Sequence, residues 1–205
     1  SQNSHGIKLK SPPHSANASY TLTFPNNDGN ASEYLQTNGS GVLTWATAGG
    51  GAYESALLHV IDEKPSQTQG GGLSSGTNNV RTLNTIKTNE ITGASLSTNA
   101  ITLPSGTYFL EAKAWNHKTA TSRLTWRNTT DSADTIIGML AYQSNSAGAS
   151  THNFISGRFT ISAQKVFNLE HRVQTTVATY GAGYQDDGLD TKVCIYADVK
   201  LWKVA

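Results

Sequence analysis

The chain has 205 residues, a formal net charge of +1 and 14% charged residues. This balance excludes the basic surface that nucleic acids require, and no apolar run is long enough to span a membrane, so we expect neither nucleic-acid binding nor membrane insertion. The 37% of hydrophobic residues and the 19 glycines are typical of turn-rich β-proteins.

The first part of the chain, 1–51, is polar and rich in glycine, asparagine and serine. Its alternating stretches "SYTLTFP" and "GVLTWA" predict two short strands, with "NNDG" and "TNGSG" as turns. Two such strands cannot bury a core alone, so we expect a stalk or connector segment that depends on partners. The stretch "TAGGG", from Thr47 to Gly51, predicts a hinge. Because the chain begins with Ser1 rather than methionine, we expect it to be processed or to be a fragment of a longer protein.

The second part, 52–205, shows strand patterns at regular spacing. "ALLHVIDE" fits a strand or a helix face, whereas "VRTLNTI", after a long Gly/Ser loop, predicts a strand. Further strands are predicted at "GTYFLEAKAW", "SRLTWRN", "TIIGMLAYQ", "NFISGRFTIS", "KVFNLEHRVQ" and "KVCIYADVKLW". About eight antiparallel strands without an amphipathic helix predict an all-β sandwich or barrel, most naturally a jelly roll.

Alternation within two of these strands separates a core face from an outer face. In the last strand the predicted inward row is Val193, Ile195, Ala197, Val199 and Leu201, and the outward row is Cys194, Tyr196, Asp198, Lys200 and Trp202. In "TYFLEAKAW" the predicted core row is Tyr108, Leu110, Ala112 and Ala114, with Phe109 and Trp115 on the other face. Apolar rings on an outer face indicate either sandwich surface or an oligomer contact. The coreless first segment favours the oligomer.

"KVFNLEHRVQ" places a histidine and an arginine within an apolar pattern. His171 has the inward parity of Leu169 and Val173, so we expect a hydrogen-bonded core histidine. Arg172 is predicted to point outward and to pair with a carboxylate of its own chain or of a neighbouring subunit. A catalytic role would need a nucleophile or carboxylate partner that the sequence does not identify, so a structural role is favoured.

Other motifs suggest chemistry but lack its context. The GxSxG pattern at 72–76 lies in a glycine-rich loop with no helix after it, unlike the nucleophile turn of a hydrolase. Asp186 and Asp187 are adjacent and point apart in extended chain, whereas glycosidase carboxylates face one bond. Together with Asp190 they form an acidic loop that is a weak calcium candidate. We therefore expect no enzymatic activity, no cofactor and no metal beyond this weak candidate.

Several stretches carry a family resemblance: "IDEKPSQTQGGG", "RTLNT", "LEHR" and the closing "LWKV". From about Ala56 to Val204 the chain resembles the C-terminal head domains of phage tail-fibre proteins, and "YTLTFPNNDGNASEYLQTNGSGVLTWA" is similar to the short element before such heads. The resemblance implies a jelly roll of the tumour necrosis factor and complement globular head type. It also implies a homotrimer in a virion tail fibre or other surface fibre. One departure is "TYGAGYQDDGLD", which stands where the family tends to have a Gly/Phe-rich stretch.

An antiparallel roll that starts at a stalk predicts where a receptor would bind. Consecutive strands alternate in direction, so the loops 63–79, 116–121, 144–151 and 177–190 are expected at the far end. The predicted receptor-binding residues on these loops are Asn116, His117, Lys118, Gln143, Asn145, Tyr180, Tyr184, Asp186 and Asp187. Aromatic rings stack on pyranose faces, while amides and carboxylates bind hydroxyl groups. The alternative is that these are ordinary loop residues.

The expected function is that of a non-enzymatic, trimeric phage tail-fibre tip that binds a host-surface glycan or protein. Threefold repetition would make weak sites avid. Other virion fibre or tail proteins are expected partners, outside the cell. The alternatives are a structural capsid-decorating or connector protein whose head caps and registers the trimer, and an enzyme that acts on polysaccharide.

Overall fold

The computed structural model describes residues 10–47, 56–145 and 148–204, which belong to two compact units, an N-terminal unit of residues 1–51 and a C-terminal unit of residues 52–205. The only helical element in these ranges is a 3-10 turn at His14–Ala16, and none of them contains a helix that could cross a membrane. The glycines of the predicted hinge lie outside the described residues.

The N-terminal unit contains one antiparallel hairpin, formed by β1 (Glu33–Thr37) and β2 (Leu43–Thr47). The predicted strand "GVLTWA" is confirmed, but the predicted strand "SYTLTFP" is wrong. This stretch forms only one parallel bridge, between Thr23 and Val42. The antiparallel partner of β2 is instead β1, which precedes it across a short Asn-Gly turn. None of residues 10–46 is buried.

Two antiparallel sheets form the C-terminal unit, and its described residues contain eleven strands. The strands are β3 (Ala56–Lys64), β4 (Asn78–Val80), β5 (Thr85–Asn89), β6 (Ser95–Ser97), β7 (Ala100–Leu103), β8 (Gly106–His117), β9 (Ser122–Asn128), β10 (Ala133–Ile137), β11 (Ser150–Ile161), β12 (Lys165–Val173) and β13 (Cys194–Lys203). The first sheet has the order β11-β8-β13-β3-β5, and the second has the order β10-β9-β12-β7-β6, with β4 also paired to β12. The last strand lies between β8 and β3, and this interleaving of sequence-distant strands in two sheets is a jelly roll. The predicted all-β jelly-roll sandwich is confirmed.

Long strands follow the sequence pattern, whereas short ones do not. The ambiguous stretch "ALLHVIDE" forms β3, which is paired on both sides by β13 and β5. "SRLTWRN" coincides with β9, but "VRTLNTI" is divided between β4 and β5, and the predicted strand at "TIIGMLAYQ" ends with β10 at Ile137. β6 and β7 were not predicted as strands, since three or four residues are too few for an alternation to stand out.

The core lies between the two sheets. Trp126 stacks on Phe167 with ring centroids 5.2 Å apart, and the predicted core row of β8, which includes Tyr108 and Leu110, is buried. The packing of large apolar side chains from both sheets at near-crystalline density is the main source of stability of such a sandwich.

The predicted rows of the last strand are only partly correct. Ala197, Val199 and Leu201 are buried as predicted, but Ile195 is 46% exposed, Val193 is exposed as well, and Tyr196 is only 4% exposed. The cause is a bulge: the pairing register with β3 shifts between Ile195 and Ala197. One extra residue at this point reverses the face to which all preceding side chains point.

Candidate functional site

Loops from four parts of the chain meet at one end of the C-terminal unit, where β3 finishes and β9 begins. The His117 amide donates to the Gly181 carbonyl (2.9 Å), and the Gly70 amide donates to the Gly183 carbonyl (2.9 Å). The Lys118 amide donates to the Ala149 carbonyl (3.2 Å). The predicted loops 63–79, 116–121, 144–151 and 177–190 therefore adjoin one another, and we call this region the loop end.

A buried polar cluster supports the loop end from below. The Oδ1 atom of Asn153 lies 2.5 Å from Nδ2 of Asn116, 2.9 Å from Oγ of Ser122 and 3.0 Å from Nε2 of His171. Gln143 donates to the Thr119 hydroxyl (3.0 Å). These hydrogen bonds offset most of the cost of burying the polar side chains, although Oε1 of Gln143 and Nδ1 of His171 have no hydrogen-bond partner among the described residues.

His171 is the hydrogen-bonded core histidine that its parity predicts. It is fully buried, and burial, together with the charge of Arg81, holds its pKa well below its usual value of 6.5. The imidazole is therefore neutral at physiological pH. Its ring joins β12 to β11 through Asn153, so it belongs to the architecture of the loop end.

Arg81 is a buried arginine that sequence reasoning missed. Its guanidinium donates to the carbonyl oxygens of Trp115 (3.1 Å), Ala182 (2.9 Å) and Tyr196 (2.9 Å), so it ties the 177–190 loop to β8 and β13. Burial lowers its pKa to about 10, and the carboxylate of buried Asp62 opposes this shift. An arginine between two short strands carries no sequence signal of burial, because an outward, solvated arginine has the same pattern.

An aromatic cluster lies on this support. The His117 ring stacks on Tyr184 (centroids 5.1 Å apart) and meets Tyr180 edge-on (5.3 Å), and the two tyrosines are 5.6 Å apart. Lys118 places its ammonium 5.9 Å from the centre of the Tyr180 ring. Tyr184 is 43% exposed, so the cluster reaches solvent through this side chain.

Three of the predicted receptor contacts are wrong as direct contacts. Asn116, His117 and Gln143 are buried. The two amides hold the polar cluster, and His117 supports the tyrosines while its Nδ1 lies 2.6 Å from the Ser150 hydroxyl. Burial, and then the charge of Lys118, lowers the pKa of His117. Loop position alone therefore did not distinguish side chains that face solvent from those that fill the space beneath.

The acidic loop is held by its own hydrogen bonds. Asp186 accepts hydrogen bonds from the Ser66 hydroxyl (2.9 Å) and from the amides of Gln67 (3.0 Å) and Gly188 (3.2 Å), which lower its pKa. Asp187, exposed and in a left-handed conformation, accepts from the Gln185 amide group (3.1 Å). Asp190 accepts from the backbone amide of Lys192 (2.7 Å). The described residues contain no group of acidic, histidine or cysteine side chains placed to hold a metal, so the weak calcium interpretation finds no support.

The predicted contacts that do reach the surface form a smaller set. Lys118, Tyr180 and Asp186 are half-buried, whereas Asn145, Tyr184 and Asp187 are exposed. Tyr180, Tyr184 and Lys118 touch through the ring contacts above. We call the surface of Lys118, Tyr180 and Tyr184, together with Asp187 three residues further along the same loop, the aromatic patch.

Arg172 points outward, as predicted, but its partner differs from the prediction. Its guanidinium donates to the Asn78 side chain (3.1 Å), and no carboxylate among the described residues forms an ion pair with it. The predicted pairing within its own chain is therefore wrong.

Two apolar surfaces lie outside the core of the C-terminal unit. The outer face of the first sheet carries Phe109, Trp115 and Phe154, all partly exposed. The segment that follows β10 exposes Met139 (73%) and Tyr142 (74%). We call these the outer apolar face and the edge segment. Groups of partly exposed apolar side chains on one face are candidates for a contact with another chain.

Comparisons with known proteins concern the fold. No protein-family model matches the chain, and no curated protein matches it. Among solved structures, murine APRIL at pH 8.0 has 9% sequence identity and a TM-score of 0.43, over 73% of this chain and 99% of that chain. The globular domain of zebrafish complement 1qA protein has 15% identity and a TM-score of 0.45, over 74% of this chain and 98% of that chain. The strand order of the two sheets is what defines this unit as a jelly roll.

Proposed function

We propose that this chain is the tip of a phage tail fibre, located on the virion outside the cell, and that it attaches to a glycan on the host surface without catalysing a reaction. The observation that carries the proposal is the aromatic patch, in which exposed Tyr184 and half-buried Tyr180 stand on a hydrogen-bonded support. The resemblance of the sequence to tail-fibre heads supplies the biological setting.

The aromatic patch suits a saccharide. The exposed face of Tyr184 offers a platform for the CH face of a pyranose ring, and Lys118 and Asp187 offer a donor and an acceptor for its hydroxyl groups. Preorganisation matters here because a rigid site loses less entropy on binding. His117 contacts both tyrosine rings, and Arg81 holds the backbone between them through the Ala182 carbonyl.

We further propose that the chain assembles as a homotrimer. The outer apolar face and the edge segment are different surfaces of one chain, so a contact between them is head-to-tail and closes into a ring when the rotation allows. Such a ring would bury Trp115 and Met139 and cover the edge of the second sheet at β10. The N-terminal unit, which has no buried residue among 10–46, would gain a core from its copies.

Attachment of purified protein to host cells tests the patch. The double variant Tyr180→Ala/Tyr184→Ala is expected to bind at least tenfold more weakly than the wild type, since one lost stacking contact of about 1.4 kcal/mol is already tenfold. Tyr184→Phe keeps the ring and is expected to keep most of the binding. Tyr34→Ala, which removes an exposed ring of the N-terminal unit, is the control. Wild-type attachment by the double variant would refute the assignment.

Light scattering tests the assembly. The wild type is expected at three times the protomer mass, and Met139→Asp/Tyr142→Asp is expected to dissociate, because charges cannot be buried unpaired in an apolar contact. Val80→Asp, at an exposed apolar position on β4, is the matched control and should remain a trimer. A wild type that is monomeric at micromolar concentration would contradict the proposal.

A structural role is the second candidate. It is favoured by the burial of Asn116, His117 and Gln143, which makes much of the loop end an internal support rather than a contact surface. In that case the unit would cap and register the trimer in a capsid-decorating fibre or a connector, and bind other virion proteins. A stable trimer that binds neither host cells nor envelope glycans would support this candidate.

A further inference from the structure

Two arginines lie directly opposite each other on neighbouring strands of the second sheet. Arg123 of β9 and Arg172 of β12 are cross-strand partners, and both side chains lie on the outer face. Side chains at directly opposed positions have their Cβ atoms about 4.5–5.5 Å apart, and like charges there destabilise a sheet. The opposed arginines therefore lower the stability of the sheet locally, which invites a functional explanation for the pair.

The described residues supply neither arginine with a counter-ion. The ion pairs of the second sheet involve Arg127 with Asp134 and Lys165 with Asp131, not Arg123 or Arg172. Arg172 has one neutral partner, the Asn78 side chain. Glu170 is two residues from Arg172 on the same face, but its Oε2 atom is buried and it forms no ion pair with either arginine within the described ranges. The two positive charges therefore reinforce each other.

The pair lines a groove at the surface. The groove has a volume of about 380 Å³, and its wall includes Leu140, Gln174 and Thr121 in addition to the two arginines. Leu140 belongs to the edge segment and offers an apolar wall beside the charges, so in the proposed trimer a neighbouring subunit would border the groove on this side. Gln174 is tied to Thr121 by its backbone amide (2.8 Å) and its side chain (3.3 Å), which fixes the rim of the groove next to the loop end.

This arrangement has the chemistry of an oxyanion site. A guanidinium is planar and donates two parallel hydrogen bonds to a carboxylate, phosphate or sulfate, and two guanidinium groups on opposed positions can bind one such group from both sides. A bound oxyanion would also remove the repulsion between the arginines. The apolar wall at Leu140 and the amide of Gln174 fit the CH and hydroxyl groups of a sugar ring that carries the oxyanion.

We propose that the groove between Arg123 and Arg172 binds an acidic sugar of a surface polysaccharide, through the carboxylate, phosphate or sulfate that the sugar carries. The site is separate from the aromatic patch but adjoins the same end of the unit. The proposal rests on the proposed function in so far as it names the class of glycan. It assigns the outward Arg172 a role beyond its hydrogen bond to Asn78.

Calorimetry with a matched set of small sugars tests this site. Glucuronate, glucose 6-phosphate and glucose 6-sulfate differ from glucose in the oxyanion, and they distinguish a carboxylated polysaccharide from a phosphorylated or sulfated one. The wild type is expected to bind at least one of the three about tenfold more tightly than glucose. Arg123→Gln and Arg172→Gln are each expected to weaken that binding about tenfold.

Arg127→Gln is the matched control, because it removes the same charge from the same face of β9 but from an existing ion pair with Asp134. It is expected to change the affinity by less than about twofold. The proposal is overturned if no acidic sugar binds better than glucose, or if Arg127→Gln weakens binding as much as Arg172→Gln. Melting curves establish that each variant is folded, and both groove arginines are on the surface, where substitution is tolerated.

The outcomes separate this proposal from the proposed function. If the wild type attaches to cells through the aromatic patch while acidic sugars bind no better than glucose, only the groove assignment fails. If acidic sugars bind through the arginines while the protein attaches to no host cell, the groove assignment stands and the attachment function fails.

Discussion

Replacing Arg81 by methionine is expected to destabilise the C-terminal unit by about 3–5 kcal/mol at neutral pH. The guanidinium donates to three carbonyl oxygens, and each charge-assisted hydrogen bond contributes about 1.5–3 kcal/mol, a gross loss of about 5–9 kcal/mol. Methionine has a similar length and needs no desolvation of a charge, which offsets several kcal/mol of this loss. Asp62 would remain buried with only Lys64 to balance its charge (3.5 Å), and the loss of the second positive charge sustains the penalty.

The destabilisation by Arg81→Met is expected to depend on pH through Asp62. Burial raises the pKa of Asp62 above its usual value of 3.8, against the attraction of Lys64 and Arg81, so removal of Arg81 raises it further. Between the unfolded and the folded pKa the folded state binds more protons, and its stability therefore falls as the pH rises through this window. The difference between wild type and variant should be smaller near the acidic end of the window than at neutral pH.

Urea unfolding at fixed protein concentration measures both effects. With a slope of about 2 kcal/mol per molar urea, the midpoint should fall by about 2 M at neutral pH. Arg127→Met, which breaks the exposed pair with Asp134, is the control and should cost less than about 1 kcal/mol. A midpoint within about 0.3 M of the wild type, or a difference that does not shrink in acid, would refute the role assigned to Arg81.

Two further changes test the support of the loop end. Burial holds the folded pKa of His171 low, so this residue makes the free energy of unfolding fall as the pH drops below 6.5, by up to about 1.4 kcal/mol per pH unit. His171→Gln should therefore flatten this fall. An unchanged slope in urea unfolding across this range would assign the titration to another group. Gly183→Ala should cost about 2–4 kcal/mol, since the new Cβ would meet the Tyr196 ring at a φ of +140°. Gly76→Ala is the control: its φ is +73° and the new Cβ meets no atom, so it should lose only the stability that a positive φ costs alanine. Equal melting temperatures for the two variants would contradict the clash.

Much of the fold follows from local pattern. The period of two predicts the long strands and the core row that begins with Tyr108, and the parity of "LEHR" predicts that His171 points inward and Arg172 outward. Antiparallel alternation also predicts which loops share an end, and backbone hydrogen bonds join those loops. These features depend on the pleat and on chain direction, which a single strand already contains.

The candidate site was less predictable. Loop membership selected Asn116, His117 and Gln143 together with Tyr180 and Tyr184, although only the tyrosines reach the surface. The hydrogen-bond partners of these buried side chains are distant in sequence: Asn153 for Asn116, Ser150 for His117 and Thr119 for Gln143. Sequence spacing contains no information on which of several polar loop residues will meet such a partner.

By itself, the sequence determined the all-β class, the inward rows of the long strands and the set of loops that meet at one end. Only the tertiary structure decided the bulge at Tyr196, the burial of Arg81 and the opposition of Arg123 to Arg172. The physical reason is that alternation is local, whereas register and burial are set by partner strands that are distant in sequence. A shift of one residue in that pairing moves side chains to the other face of the sheet.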